Sequence, residues 1–318
     1  MTNDSITLDR RSTLAGAAAL GAIAFSQPVF AAKNNKYKLS LAEWSLHRRI
    51  FERNGYPKLD HLDFPKVTRS LGIEGCEYVS TCFTDKEAKE PYLKELKNRA
   101  AGEGISNVLI MVDREGTFGD PNPAKRTEAI ENHKKWLNAA AYLGCHSIRV
   151  NARSQGSREE QMQHLTTGFK AVCEVADTYG INVIIENHGG LSSDGEFVSK
   201  LIKNVGHKRI GTLPDFGNFY DRGTQTLYDI YRGLEVMLPH AKAVSAKCYD
   251  FVPGSKSLMA NYKYGYQLDF ERCMELTFAS GYEGFIGIEY EGYNPEKSEE
   301  KAIAKIKKVM DKLIAKQS

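Results

Sequence analysis

Ile184-Ile185-Glu186-Asn187-His188-Gly189-Gly190 is an apolar run that ends abruptly in a carboxylate, an amide and an imidazole, and then in two glycines. It reads as a buried strand that delivers polar groups to an open rim. Two other runs end in carboxylates in the same way, Leu213-Pro214-Asp215-Phe216-Gly217-Asn218 and Phe285-Ile286-Gly287-Ile288-Glu289-Tyr290-Glu291. Like charges converging on a dry pocket are costly without a cation, so carboxylates at several strand ends suit a divalent metal with oxygen ligands. The candidate ligands are Glu186, Asp215 and Glu289. Glu291 lies on the same strand face as Glu289, and pattern alone does not separate the two.

Three such strand ends need a scaffold that gathers them. Apolar segments recur at Tyr37–Ser45, Gly72–Val79, Ser106–Asp113, His146–Asn151, Asn182–Asn187, Gly211–Phe216, Ala241–Lys247 and Gly284–Tyr290. Their spacing, roughly 30 to 43 residues, is that of one βα unit. Amphipathic stretches lie between them. Met162, Leu165, Phe169, Val172, Val175 and Tyr179 mark one helix face that stops at Gly180. Another helix opens after Asp120-Pro121-Asn122-Pro123 and runs to Gly144, and a lysine-rich one spans about Pro295 to Lys312. Eight βα units predict an α/β fold, a (β/α)₈ TIM barrel in a single domain over residues 33–318. A doubly wound open sheet is the competing arrangement. Its G-x-G-x-x-G turn is missing after the first strand, where Ala42-Glu43-Trp44-Ser45-Leu46-His47 stands.

The first 32 residues read differently. Asp9-Arg10-Arg11-Ser12-Thr13-Leu14 holds a twin-arginine pair, a small-residue apolar stretch follows, and Val29-Phe30-Ala31 offers a cleavage site. That layout predicts a Tat export signal, hence the Tat translocase as a transient partner, a periplasmic or otherwise exported location, and no membrane anchoring of the mature chain. The net charge of +3, from 43 basic and 40 acidic residues, supplies no basic stripe for nucleic acid. Six cysteines without C-x-x-C spacing read as buried apolar side chains, and a chain folded before export needs few or no disulfides.

Together these residues resemble the xylose isomerase-like TIM barrels, often described as sugar phosphate isomerase/epimerase. The resemblance spans residues 33–318. It is carried by Gly72-Ile73-Glu74-Gly75-Cys76-Glu77, Leu143-Gly144-Cys145-His146-Ser147-Ile148-Arg149-Val150, Glu186-Asn187-His188, Asp215, Val244-Ser245-Ala246-Lys247 and Glu289. It implies one divalent metal, Mn²⁺ first and Mg²⁺ or Ca²⁺ as alternatives, on Glu186, Asp215 and Glu289, and favours Glu289 over Glu291. The family's imidazole ligand has no counterpart, because Ser245 stands in its place and Asn218 where a second histidine commonly follows the aspartate. Water, Lys247 or Gln267 could fill that position.

The chemistry implied is proton transfer next to a carbonyl, in a sugar isomerase or epimerase. Glu186 and Glu289 form the acid/base pair, with Lys247 or His188 assisting. Trp44 and His47 suit a pocket wall against a sugar ring; Arg149, Asn151 and Asn218 suit its hydroxyls. Lys247, His188 and Arg149 also have ordinary structural readings, as a solvated lysine, a satisfied rim histidine and interstrand scaffolding. An exported enzyme meets few phosphorylated sugars and no glycine-rich phosphate cradle is evident, so the expected partner is an unphosphorylated carbohydrate. Loss of the imidazole leaves two alternatives open: a keto-glycoside lyase using the same enolate chemistry, and a non-catalytic carbohydrate-binding barrel that has lost its metal. Homo-oligomerisation is possible.

Overall fold

The computed structural model describes residues 36–293 and 298–317. The expected signal over residues 1–32 lies outside them, as does Pro295. Thirteen strands occur among the described residues: β1 (Tyr37–Ala42), β2 (Gly75–Val79), β3 (Ser106–Met111), β4 (Ser147–Asn151), β5 (Asn182–Glu186), β6 (Ile210–Leu213), β7 (Tyr220–Asp221), β8 (Thr226–Leu227), β9 (Val244–Cys248), β10 (Asp250–Phe251), β11 (Leu258–Asn261), β12 (Tyr266–Asp269) and β13 (Gly284–Tyr290). Eight are parallel, in the order β6-β5-β4-β3-β2-β1-β13-β9. They fall on the eight apolar segments read from sequence, with every end matching to within three residues and β6 and β9 each reaching one residue beyond their segments. The first segment ends earlier, at Ala42, because Glu43–Leu46 turns into a 3₁₀ helix.

The two ends of that sheet, β6 and β9, meet along an irregular seam. Pro214 cannot donate to a ladder and ends β6. Beyond it, Ser245 N donates to Pro214 O at 3.0 Å and Phe216 N to Ser245 O at 3.1 Å, and isolated bridges join Thr212 to Ala241 and Asp215 to Ser245. The result is a nearly closed TIM barrel whose seam runs beside two of the residues singled out above. Strands such as β2, β6 and β9 are buried along their whole length, as expected where helices cover the outside and side chains fill the inside.

Helix ends follow local chemistry. Arg158–Tyr179 opens on a capping box from Ser157 to Glu160 and closes at Gly180 with φ 72°. Pro123–Leu143 opens on Asn122 and closes at Gly144 with φ 84°. The last helix runs Glu299–Ala315, a few residues beyond the expected stop at Lys312. All six cysteines are buried and unpaired. No helix among the described residues is long and apolar enough to cross a membrane.

Sequence periodicity missed two small sheets, the hairpin β7–β8 and the antiparallel β10–β11–β12. They are inserted after β6 and β9, so they rise from the carboxyl face of the barrel, where the strand-end carboxylates emerge. Their strands are two to four residues long, too short to register as alternation.

Candidate active site

Glu186, Asp215 and Glu289 converge. Each offers a carboxylate oxygen, and these oxygens lie within 4.8 Å of one another. All three side chains are buried. Glu186 sits between Arg149 Nε at 2.8 Å and Asn218 Nδ2, which donates to its Oε1 at 2.8 Å. Asp215 accepts from Gly217 N at 2.8 Å. The Asn187 side chain grips the Asp215 backbone from both sides, donating to its carbonyl at 2.9 Å and accepting from its N–H at 2.7 Å. That reciprocal pair ties the end of β5 to the first residues after β6 and satisfies two buried backbone groups that Pro214 leaves without a ladder. Asn187 is therefore a positioning residue, which the Glu-Asn-His triplet alone does not disclose.

Ser245, in the place of the expected imidazole, joins the two remaining carboxylates. Its Oγ lies 2.7 Å from Asp215 Oδ2 and 3.0 Å from Glu289 Oε2. A hydroxyl has one proton to donate, so it cannot donate fully to both, and a proton on one of the two carboxyls would complete the second contact. The electrostatics agree: burial pushes Asp215 well above the ordinary carboxylate range despite Lys247, and burial, with Glu186 and Glu291 beside it, also raises Glu289 against the pull of Lys247.

Lys247 is buried among these groups. Its Nζ lies 3.1 Å from Glu289, 3.8 Å from Glu291 and 3.9 Å from Asp215, and donates to Asn218 Oδ1 at 3.4 Å. Burial works against its charge, yet Asp215, Glu289 and Glu291 together hold it well above the ordinary lysine range. It is a fixed ammonium rather than a solvated lysine. Gln267 does not fill the vacant place, because it is exposed on β12. Glu291, which sequence could not separate from Glu289, takes a different role. It accepts a bond from Trp44 Nε1, and although burial opposes its charge, Lys247, His47 and Trp44 push it down to about 2.

Five carboxylates, Asp113, Glu186, Asp215, Glu289 and Glu291, thus share two cations, Arg149 and Lys247. His188 adds no charge near neutrality, since burial first, then Lys247 and Arg149, push it down to about 4. Its Nδ1 has no hydrogen-bond partner. A surplus of buried negative charge, a carboxylate trio at one point and a hydroxyl bridge fit a hard divalent cation bound by Glu186, Asp215 and Glu289.

Of these groups, Asp113, Arg149, His188, Glu289 and Glu291 line a cleft of about 970 Å³ together with Trp44 and Asn151, whereas Glu186, Asp215 and Lys247 are not among its lining residues. Asn151 donates to Asp113 at 2.8 Å while its own Oδ1 is buried without a partner. His47 does not line the cleft. It stacks on Trp44 at 4.6 Å with 12° between the rings, and so acts through the tryptophan. Asn218 faces an adjoining cleft of about 380 Å³ that shares His188 with the first.

Residues that sequence reasoning left out also hold the site. Asp113 anchors Arg149 at 3.1 Å. Glu77 receives the Ser40 hydroxyl at 2.6 Å, and burial pushes it up to about 8. A Cβ at Gly287 would lie 2.4 Å from its Oε1, so glycine there makes room for it. Tyr249 and Tyr266 both direct their hydroxyls at Gly217 O, pinning the residue whose N–H, in the preceding peptide, holds Asp215.

An α/β barrel with strand-end carboxylates gathered at its carboxyl face defines the class. The chain belongs to the xylose isomerase-like TIM barrel family, whose profile matches residues 65–313. No curated protein matches the sequence significantly. Among solved structures, 3-keto-D-glucoside 4-epimerase YcjR from E. coli superposes with TM-score 0.63 at 15% identity, over 86% of this chain and 99% of that one. D-psicose 3-epimerase from Clostridium cellulolyticum H10, solved with D-tagatose, gives 0.64 at 14%, over 87% and 99%. A xylose isomerase-like TIM barrel protein from Mycobacterium smegmatis in complex with magnesium gives 0.60 at 17%, over 87% and 97%. At such identities the likeness is one of fold.

Proposed function

We propose that this chain is a divalent-metal-dependent sugar epimerase or isomerase that works by proton transfer next to a carbonyl. The observation that carries the reading is the convergence of Glu186, Asp215 and Glu289, from three different strand ends, within 4.8 Å. The sugar epimerases among the structural neighbours, and a further neighbour in complex with magnesium, support it. Mn²⁺ is the ion proposed first, with Mg²⁺ or Ca²⁺ as alternatives, because an all-carboxylate set favours hard cations. When bound, such an ion supplies Lewis acidity that lowers the cost of negative charge on a carbonyl oxygen.

The chain's own groups do the rest. One of Glu186 and Glu289 removes the carbon-bound proton beside the carbonyl and the other returns it. Return to the opposite face of the same carbon gives epimerisation, and return to the neighbouring carbon gives isomerisation. Arg149 and Asn218 fix Glu186, and Ser245 and Lys247 fix Glu289. Neutral His188, which lines the cleft, accepts or relays a proton from a substrate hydroxyl. Trp44, Asn151 and Arg149 line the space for the sugar, which lies in the cleft beside Glu289.

Residues 1–32 are proposed to direct export to the periplasm through the Tat translocase, which favours an unphosphorylated sugar. The deciding experiment is metal analysis of the purified mature protein, with wild type beside Glu186→Gln. About one equivalent of manganese, magnesium or calcium, lost in the variant, is the result expected of a single site. Equal metal binding by both proteins overturns the ligand set. A wild type that holds no metal and gains no thermal stability from added metal leaves a carbohydrate-binding barrel instead.

A further inference from the structure

The large cleft changes sign between its floor and its rim. Glu289 and Glu291 face it from below, whereas Arg114, Lys125, Arg153, Arg222 and Lys263 line its outer part against two carboxylates, Asp120 and Glu128. Arg153 and Arg222 also line the adjoining cleft, so they stand where the two spaces meet. Among the described ion pairs neither arginine has a carboxylate partner, in contrast to Arg149, Arg158 and Arg232.

The two inserted sheets contribute Arg222 and Lys263 to this rim, and Arg153 follows β4. Arg222 lies in the turn of the β7–β8 hairpin with its guanidinium 4.9 Å from the centroid of Tyr264, in the turn between β11 and β12. Lys263 sits 5.2 Å from the same ring, which is stacked on Tyr220 at 5.1 Å. Two cations drawn to one aromatic platform repel each other, and a bound anion relieves that repulsion. The carboxylate floor meanwhile repels the same anion, so the charge pattern fixes which way round a ligand enters.

We infer that the substrate is an anionic sugar, whose carboxylate or phosphate group is held at the rim by Arg153 and Arg222 while its carbonyl end reaches the carboxylate floor. This rests on the sugar epimerase or isomerase reading for the floor and adds the charge of the substrate. The two sources of the anion are separable: a sugar acid is consistent with an exported enzyme, and a phosphate ester is not.

The test is calorimetric titration of the mature protein with D-glucuronate, D-glucose 6-phosphate and D-glucose, for wild type and for the double variant Arg153→Gln/Arg222→Gln, each first titrated with Mn²⁺. At least one anionic sugar is expected to bind about fivefold or more tighter than glucose, the gain of one to two exposed charge contacts. The preference should shrink at high salt and vanish in the double variant, whose Mn²⁺ affinity stays that of wild type. Stronger binding of glucuronate than of glucose 6-phosphate identifies the carboxylate. Glucose binding as tightly as both anions, a preference that survives the double substitution, or no saturable binding of either anion overturns the inference. Failure of the metal reading is a separate result: wild type that takes up no Mn²⁺ yet shows an arginine-dependent anion preference removes the epimerase floor and keeps the rim.

Discussion

Lys247→Met removes the one ammonium among Asp215, Glu289 and Glu291 without removing volume. At 3.1, 3.8 and 3.9 Å and an effective dielectric of about 20, each attraction is about 4–5 kcal/mol before desolvation of the ions is set against it. The net cost of leaving buried charges without their partner is about 3–5 kcal/mol. Asp215 and Glu289 can each take up a proton, as their raised pKa values indicate, so the lower end, about 3 kcal/mol, is expected. For a chain of this size that lowers Tm by roughly 5 °C in the presence of chelator. Manganese then has more to offer the variant than the wild type, because no ammonium competes for the same carboxylates. At a hundredfold excess over Kd the ion restores about 2.7 kcal/mol. Thermal unfolding of both proteins, with chelator and with manganese, reads out the whole argument. Equal Tm values in chelator, or an equal manganese shift in the two proteins, refutes the view of Lys247 as the site's built-in counterion.

Three further predictions follow from the same geometry. Manganese binding should release about one proton, because Ser245 cannot donate to Asp215 and Glu289 at once; calorimetry in two buffers of different ionisation heat measures it, and identical heats contradict it. Tyr266→Phe frees Gly217 O from one of its two phenols. It should cost about 1–2 kcal/mol of stability and weaken metal affinity severalfold through the Gly217 N–H that holds Asp215, whereas unchanged affinity makes the tyrosine merely structural. His133 is buried, bonded to Ala129 O at 2.6 Å, and pushed down by burial to about 4. Its folded pKa lies below its unfolded one, so the unfolded chain takes up the proton first and stability falls as pH drops through about 6.5 toward 4. His133→Gln should remove about 2 kcal/mol of the loss between pH 7.5 and 5, and parallel stability curves for the two proteins rule this out.

The barrel was legible because its strands are buried on both faces and therefore appear as uninterrupted apolar runs such as Val183-Ile184-Ile185. The carboxylates at their ends were legible for the same reason, since Glu186 and Asp215 break those runs at a point only a rim or a ligand explains. What escaped was whatever depends on three-dimensional partners. Asn187 looks like any polar residue after a strand until it clasps the Asp215 backbone. His47 shares a segment with Trp44, and only the stacked geometry shows that it supports the wall rather than forming it. Glu291 is one pleat from Glu289 along the same face, and the Trp44 bond separates their roles. Ser245 read as the loss of a ligand, whereas in space its hydroxyl lies between two carboxyls and bridges them.

The tyrosines on Gly217 give the inserted sheets a second job. β10–β12 supplies Lys263 and Tyr264 at the mouth and also Tyr266, whose hydroxyl reaches down to the peptide beside Asp215. On the proposed reading, ligand choice and cation retention would therefore hang on one piece of chain. Grafting a relative's insert onto this barrel to change its substrate would loosen the ion at the same stroke, unless the graft carries a phenol to the same carbonyl. The unit that can be exchanged between such barrels is the insert together with its tyrosine and the glycine it presses upon.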